Sequence, residues 1–271
     1  MLADRSASPP AEILLFFKAL ADESRLAIVR LLALTDLRVG EIVDRVRIPQ
    51  NAVSYHLRLL RQLGLVRDHR SSLDARDVYY RVDLSRLQVL YQAAGHTLYP
   101  GMSADPDQRE SKGWEARPLR VLILCTHNSA RSQLAEGLLR YLGGDQVAVW
   151  SAGSRPTIVH PYALQLLTEL GLDPGQYRAK PMSEFADQAF DYIITVCDRV
   201  RDQCPVFPDD PLHIHWSIPD PVAESTAAAQ WAAFTAVQQD LTTRIRYLLL
   251  LPHPATGRRF AAAAPRPRGA P

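Results

Sequence analysis

The stretch LRVLILCTHNSARSQLAEGLLRYL (119–142) decides the fold of the longer half of this chain. Its first seven residues, 119–125, form an almost unbroken apolar run, the pattern of a strand buried on both faces in a parallel sheet. From QLAEGLLRYL onward, apolar residues recur at helical spacing. Between them stands Cys125-Thr126-His127-Asn128-Ser129-Ala130-Arg131-Ser132, a cysteine and an arginine separated by five residues, then a serine. A loop that runs into a helix N-terminus turns successive backbone N–H groups toward one point, at the positive end of the helix dipole. That is a cradle for a tetrahedral oxyanion, and Thr126 to Ser132 are its expected lining. The spacing places the Cys125 sulfur in the cradle, where a thiolate is stabilised and its pKa expected to fall. Arg131 offers a two-pronged donor to the oxyanion, and Ser132 a hydrogen bond to the sulfur.

Further apolar stretches at 146–153, 191–197 and 212–216 predict three more strands, with helices near 160–170 and 230–250. Alternation of strands and helices implies a four-stranded parallel sheet covered on both faces and wound like flavodoxin. The chain has three cysteines, all beyond residue 124, and an odd count does not suggest a secreted disulfide scaffold. Cys197 ends one predicted strand. Cys204 follows seven residues later in a polar loop. HWSIPDP (215–221) carries an aspartate, Asp220, between two prolines.

The first hundred residues read differently. Apolar positions in AEILLFFKALADESRLAIVRLLAL follow helical spacing, with a break at 21–24. VGEIVDRV (39–46) is short and amphipathic, and Pro49 disfavours helix continuation through Ile48. NAVSYHLRLLRQL follows, with Val53, Leu57, Leu60 and Leu63 on one side and Gly64 as its stop. Strands at 65–70 and 77–82 around a polar turn complete a mainly α winged helix-turn-helix. Its second helix, polar and basic on its outer face, suits a DNA major groove.

Charge separates the two parts. Residues 1–117 hold 17 basic and 15 acidic residues, with 9 against 5 within 38–81, whereas 118–252 hold 10 against 14. The tail, 253–271, has four arginines and no acid. The expected organisation is a DNA-binding domain at 1–97, a polar linker at 98–117, the thiol domain at 118–252 and a disordered basic tail at 253–271. No run of 18 apolar residues exists, and the N-terminus lacks a basic start and long apolar stretch, so a cytoplasmic protein without a membrane span is expected.

Two resemblances follow from these residues. LADESRLAIVRLL and VGEIVDRVRIPQNAVSYHLRLLRQLGLVR resemble the ArsR-type metal-responsive repressors over nearly all of 10–95. That implies a homodimer formed through this domain, which binds operator DNA and releases it when a metal or metalloid binds. It makes 50–63 the recognition helix, with Gln50, Asn51, Ser54, Tyr55 and Arg58 facing DNA. Asn and Gln can read adenine and Arg guanine, and any one of them could equally contact a phosphate. The chain departs from the family in LTDLRVGEIV, which has no cysteine where arsenite is usually sensed. The sequence sets no clustered carboxylates or His pairs beside His56, His69 and His96, so no metal site is expected here.

VLILCTHNSARSQLAEGLL resembles the low-molecular-weight tyrosine phosphatase fold family, whose branches are phosphatases and thioredoxin-coupled arsenate reductases. The Cys197 to Cys204 segment after T-V-C resembles the reductase branch, and Asp220-Pro221-Val222-Ala223 lacks the aromatic pair of the phosphatases. The resemblance implies a catalytic set of Cys125, Arg131, Cys197, Cys204 and Asp220, with arsenate as substrate, arsenite as product, and thioredoxin or a similar thiol as reductant. It implies no tightly bound cofactor, although members can bind a potassium ion near the loop, where Asn128, Glu136 and Ser151 match. Passing a disulfide from Cys125 through Cys197 to Cys204 would require a flexible 198–210 segment. The leading expectation is a repressor fused to an arsenate reductase, which could retain residual phosphatase activity. Its rivals are a repressor with a thiol-based sensor and a repressor-linked phosphatase.

Overall fold

A computed structural model describes residues 11–71, 73–74, 76–98, 117–202 and 204–251. The expected linker, apart from its end residues, and the expected basic tail lie outside them. The chain forms two compact units. The first holds 11–33, 37–69 and 80–98; the second holds Leu34–Asp36, Arg70–Tyr79 and 117–251. No helix among the described residues is long and apolar enough to cross a membrane.

The helices of the first unit are α1 (Ala11–Leu20), α2 (Glu23–Leu32), α3 (Val39–Val46), α4 (Gln50–Gln62) and α5 (Leu84–Leu98). The break before α2 is a cap, since Asp22 accepts the Arg25 backbone N–H at 2.9 Å. Helix α3 ends on Arg47 in the left-handed conformation (φ 56°), and Gly64 (φ 68°) closes the turn after α4. Three strands, β1 (Leu37–Arg38), β2 (Val66–Arg70) and β3 (Val78–Val82), form a sheet of order β1-β3-β2. Ile28, Ile42, Val53, Leu57, Leu60 and Leu65 are fully or almost fully buried in its core. Helix α5 extends the unit beyond the two strands expected at 65–70 and 77–82. Its signals were Asp83, whose carboxylate accepts the Arg86 N–H at 2.9 Å, and Leu87, Leu90 and Ala94 at helical spacing.

The second unit is built on β4 (Leu119–Cys125), β5 (Val147–Gly153), β6 (Tyr192–Thr195) and β7 (Leu212–His215), all parallel, in the order β5-β4-β6-β7. This is the doubly wound order expected, with the chain reversing direction of travel across the sheet between β4 and β6. Helices α6 (Arg131–Gly143), α7 (Pro161–Glu169), α8 (Asp198–Arg201) and α9 (Ala227–Leu249) complete it; α6 packs on β4, β5, α7 and α9. Leu119 and residues 121–124 are fully buried, as the apolar run predicts. In such sheets a ligand site falls beyond the carboxyl ends of the strands at the reversal point. Cys125 closes β4 there, and Cys197 follows two residues after β6.

Candidate active site

The loop 125–131 is shaped by where its carbonyls go. Those of Cys125, Thr126, His127 and Ser129 accept hydrogen bonds from the N–H groups of Ser154, Arg155, Thr157 and His160, at 2.8 to 3.2 Å. Gln133 Nε2 donates to the Asn128 carbonyl at 2.9 Å, and the Ala130 carbonyl takes the first bond of α6, from Leu134 N–H. Every carbonyl from 125 to 130 is thus held on the outer side of the loop. In a trans peptide the next N–H points the opposite way, and the chain has no cis bond. The amides of 126–131 are therefore aimed inward, and α6 adds its unpaired N-terminal donors. Two local features permit the shape. Asn128 has φ 48°, the left-handed region, and Gly153 lies so close that a Cβ there would stand 2.7 Å from the Thr126 carbonyl oxygen.

Cys125 Sγ accepts the Asn128 N–H at 3.0 Å and lies 2.9 Å from Ser132 Oγ. Burial pushes this thiol up rather than down, and the neighbouring Cys197 adds to the rise; Ser132, Arg131 and the Asn128 amide pull the other way. The sequence expectation of a depressed thiol counted only the donors and missed the burial and the second sulfur. Arg131 donates from one Nη to the Ile218 carbonyl at 2.8 Å and from the other to Asp220 Oδ2 at 2.9 Å. The expected oxyanion ligand and the expected acid are thus brought together as an ion pair, with Arg131 buried and Asp220 half-buried. Thr126, Asn128, Ala130 and Ser132 are also buried, whereas His127 is exposed.

All three cysteines are free. Cys197 is buried, with Sγ 3.3 Å from the Thr126 hydroxyl, so the second sulfur meets the first cysteine's own loop. Cys204 is half-buried, and burial pushes its thiol up to about 12. Asp198, directly after Cys197, was not foreseen. Burial would raise its carboxyl, but hydrogen bonds from His215 Nε2 (3.1 Å), Ser217 Oγ (2.5 Å) and Ser71 Oγ (2.6 Å) hold it well below the usual range. Burial keeps His215 below its ordinary value. A neutral ring that donates from Nε2 accepts the Thr195 hydroxyl at Nδ1, 2.8 Å away. The only forewarning in the sequence was a run of polar residues, Asp198, His215 and Ser217, at the ends of apolar strands.

The potassium expectation fails on the charges present. Asn128, Glu136 and Ser151 do come together and are all buried, but Glu136 already pairs with Lys180 Nζ at 3.1 Å and Arg140 at 2.8 Å. Two resident cations saturate the one carboxylate, so these residues do not fit an added alkali ion.

On α4, the outward residues Gln50, Asn51, Ser54, Tyr55 and Arg58 are all exposed, opposite buried Val53, Leu57 and Leu60. The Arg58 guanidinium lies over the Tyr55 ring, 5.5 Å from its centroid. The remaining histidines of this unit, His56, His69 and His96, belong to no group of three or more potential metal ligands among the described residues.

Comparison with known proteins gives separate matches in the two regions. Residues 22–68 match the arsR family of bacterial regulatory proteins. Over 127 residues, 46% of this chain, it is 35% identical to an arsenate reductase of Halalkalibacterium halodurans, 91% of which is covered. An arsenate reductase of Bacillus subtilis is 32% identical over the same shares of the two chains. A thioredoxin-dependent arsenate reductase of Corynebacterium glutamicum superposes with a TM-score of 0.38 at 26% identity, over 61% of this chain and 70% of that one. Residues 120–256, half of the sequence, match the low molecular weight phosphotyrosine protein phosphatase model, and the chain belongs to that family.

Proposed function

We propose that this chain is a DNA-binding regulator fused to an arsenate reductase that works through Cys125, Cys197 and Cys204. The observation that carries the enzymatic part is the meeting of two buried thiols across Thr126 at the mouth of an oxyanion cradle. A phosphatase needs one nucleophile and water; a reductase must deliver two electrons, and paired thiols can supply them. The arsenate reductases among the relatives point the same way.

In this reading, Arg131 and the inward amides hold arsenate while the Cys125 thiolate forms a bond to arsenic. One arsenate oxygen leaves as water, with the proton supplied by Asp220 after arsenate has displaced it from Arg131 and the freed carboxylate has taken one up from solvent. Cys197 then attacks Cys125 Sγ. The sulfur–arsenic electron pair goes to arsenic, arsenite departs, and a Cys125–Cys197 disulfide forms. Cys204 attacks Cys197 in turn, which frees Cys125 and moves the disulfide toward a dithiol reductant such as thioredoxin. The half-buried, raised Cys204 thiol is a weak nucleophile in the resting structure, so this last step requires the 198–210 segment to shift and admit water.

Coupled turnover of arsenate with thioredoxin, thioredoxin reductase and NADPH tests the relay. Replacing Cys125, Cys197 or Cys204 with serine is expected to stop multiple turnover in each case. Full turnover by Cys204→Ser would overturn the relay. Phosphatase activity that depends on Cys125 and ignores the other two would favour the phosphatase reading instead.

For the first unit, the exposed polar face of α4 supports binding in a major groove by a dimer of this chain, as the arsR-family match suggests. Operator binding by reduced, oxidised and arsenite-treated protein measures whether the thiol chemistry controls it.

A further inference from the structure

Lys180 lies outside every motif recognised in the sequence, yet it touches both ends of the hydrogen-bond network beneath Cys125. Its backbone N–H donates to Asn128 Oδ1 at 2.8 Å. Its ammonium, almost fully buried, donates to Glu136 Oε2 at 3.1 Å and to the Arg178 carbonyl at 3.2 Å. The residue is anchored in turn, because its carbonyl accepts the Gly153 N–H at 2.8 Å.

The direction of each bond between those ends follows from the donor inventory. A carboxylate only accepts, so the Ser151 hydroxyl donates to Glu136 Oε2, at 2.5 Å. Ser151 Oγ is then free to accept, and Asn128 Nδ2 donates to it at 2.7 Å. The Lys180 and Gln133 N–H donors fix the other side of that amide as its oxygen. The second Nδ2 proton goes to Ser132 Oγ at 3.0 Å. With that lone pair used, the Ser132 proton is directed to the remaining partner, Cys125 Sγ at 2.9 Å. The polarity set at Glu136 thus ends as a donor aimed at the reacting sulfur. Reversing it would leave Ser132 accepting where a thiolate needs a donor.

A buried carboxylate holds such a chain only while it stays ionised, and burial of a lone charge is costly. We propose that Lys180 is a positioning residue whose resident ammonium replaces a bound monovalent cation at Glu136, so that the loop is ordered for reaction in the absence of potassium. The proposal rests on the reading of Cys125 as the reacting thiol, but its test does not require arsenate reduction.

The full chain and its Lys180→Ala variant are compared in potassium chloride and in tetramethylammonium chloride at equal ionic strength. Two quantities are read: thermal midpoint, and the rate of Cys125 alkylation by iodoacetamide at pH 7, resolved by peptide mass spectrometry. The wild-type chain is expected to give the same values in both salts. In tetramethylammonium, Lys180→Ala should melt lower and alkylate about tenfold more slowly, the scale of one lost hydrogen bond. Potassium, small enough to enter the vacated space, should restore most of both. A potassium effect on the wild type would overturn the proposal, as would a variant equal to wild type or one whose loss persists in potassium. Should the variant fail to fold in tetramethylammonium, folding in potassium supports the replacement, and failure in both salts overturns it. If these results hold while coupled arsenate turnover is absent, the reductase reading fails and the role of Lys180 stands.

Discussion

The cysteine loop and helix α4 are built on opposite plans. In the loop, every carbonyl from 125 to 130 has a partner and the key polar side chains are buried in one network. On α4, the five outward residues are exposed, and the contact among them is Arg58 over Tyr55. A site that stabilises a small reacting anion must hold its dipoles in place beforehand, whereas a groove-binding face is completed by the nucleic acid it meets. Changes in the loop should therefore alter chemistry and stability together, and changes on α4 should alter binding alone.

The largest effect expected is that of Cys125→Ser, which should lower arsenate turnover by about a thousandfold or more, the usual scale for loss of a nucleophile. Operator affinity of the reduced protein should stay as in wild type. Next is Gly153→Ala. Its Cβ would press on backbone atoms of Thr126 and Asn128, which cannot swing aside as a side-chain end could. A loss of about 1–3 kcal/mol in denaturant unfolding is expected, together with slower Cys125 alkylation. Stability without reactivity loss would show that the loop tolerates a shift, and would break the contrast.

Arg58→Ala tests the other side. Operator affinity should fall by about tenfold or more, and a phosphate contact would show as a salt dependence about one unit shallower. Unfolding free energy should change by less than about 0.5 kcal/mol, as for an exposed residue outside the core. The smallest effect concerns pH. Burial lowers the folded pKa of His215, so the unfolded chain takes up a proton near pH ~6.5 while the folded one resists it. This contribution to stability is complete above that pH and is lost as pH falls below it toward the folded value. Denaturant midpoints at pH 7.5 and 5.5 should diverge for wild type and converge for His215→Gln.

What the sequence disclosed and withheld follows the range of the signals. The run 119–125, the C-x5-R-S loop, Gly64 and the α4 stripe are local patterns, and each element formed where its periodicity placed it, within a few residues. The pairing of Arg131 with Asp220 joins residues 89 apart, and no spacing rule announces it. Lys180 and Glu136 meet through the parallel register that brings Gly153 beside Pro181. The raised Cys125 thiol was missed for the same reason. Its donors lie within seven residues, whereas its burial and Cys197 come from β6 and the packed sheet.

The Arg131–Asp220 pair has a consequence for selectivity. At rest, the guanidinium already has an anion, so any oxyanion entering the cradle must outcompete an internal rival whose effective concentration never varies. An arsenate dianion brings enough charge to do so. Arsenite is an uncharged acid near neutral pH and does not, so if arsenate is reduced here as proposed, Asp220 can recapture the arginine and leave the product without its holder. The same exchange that admits substrate would then expel product, and arsenite should be a poor inhibitor of its own formation.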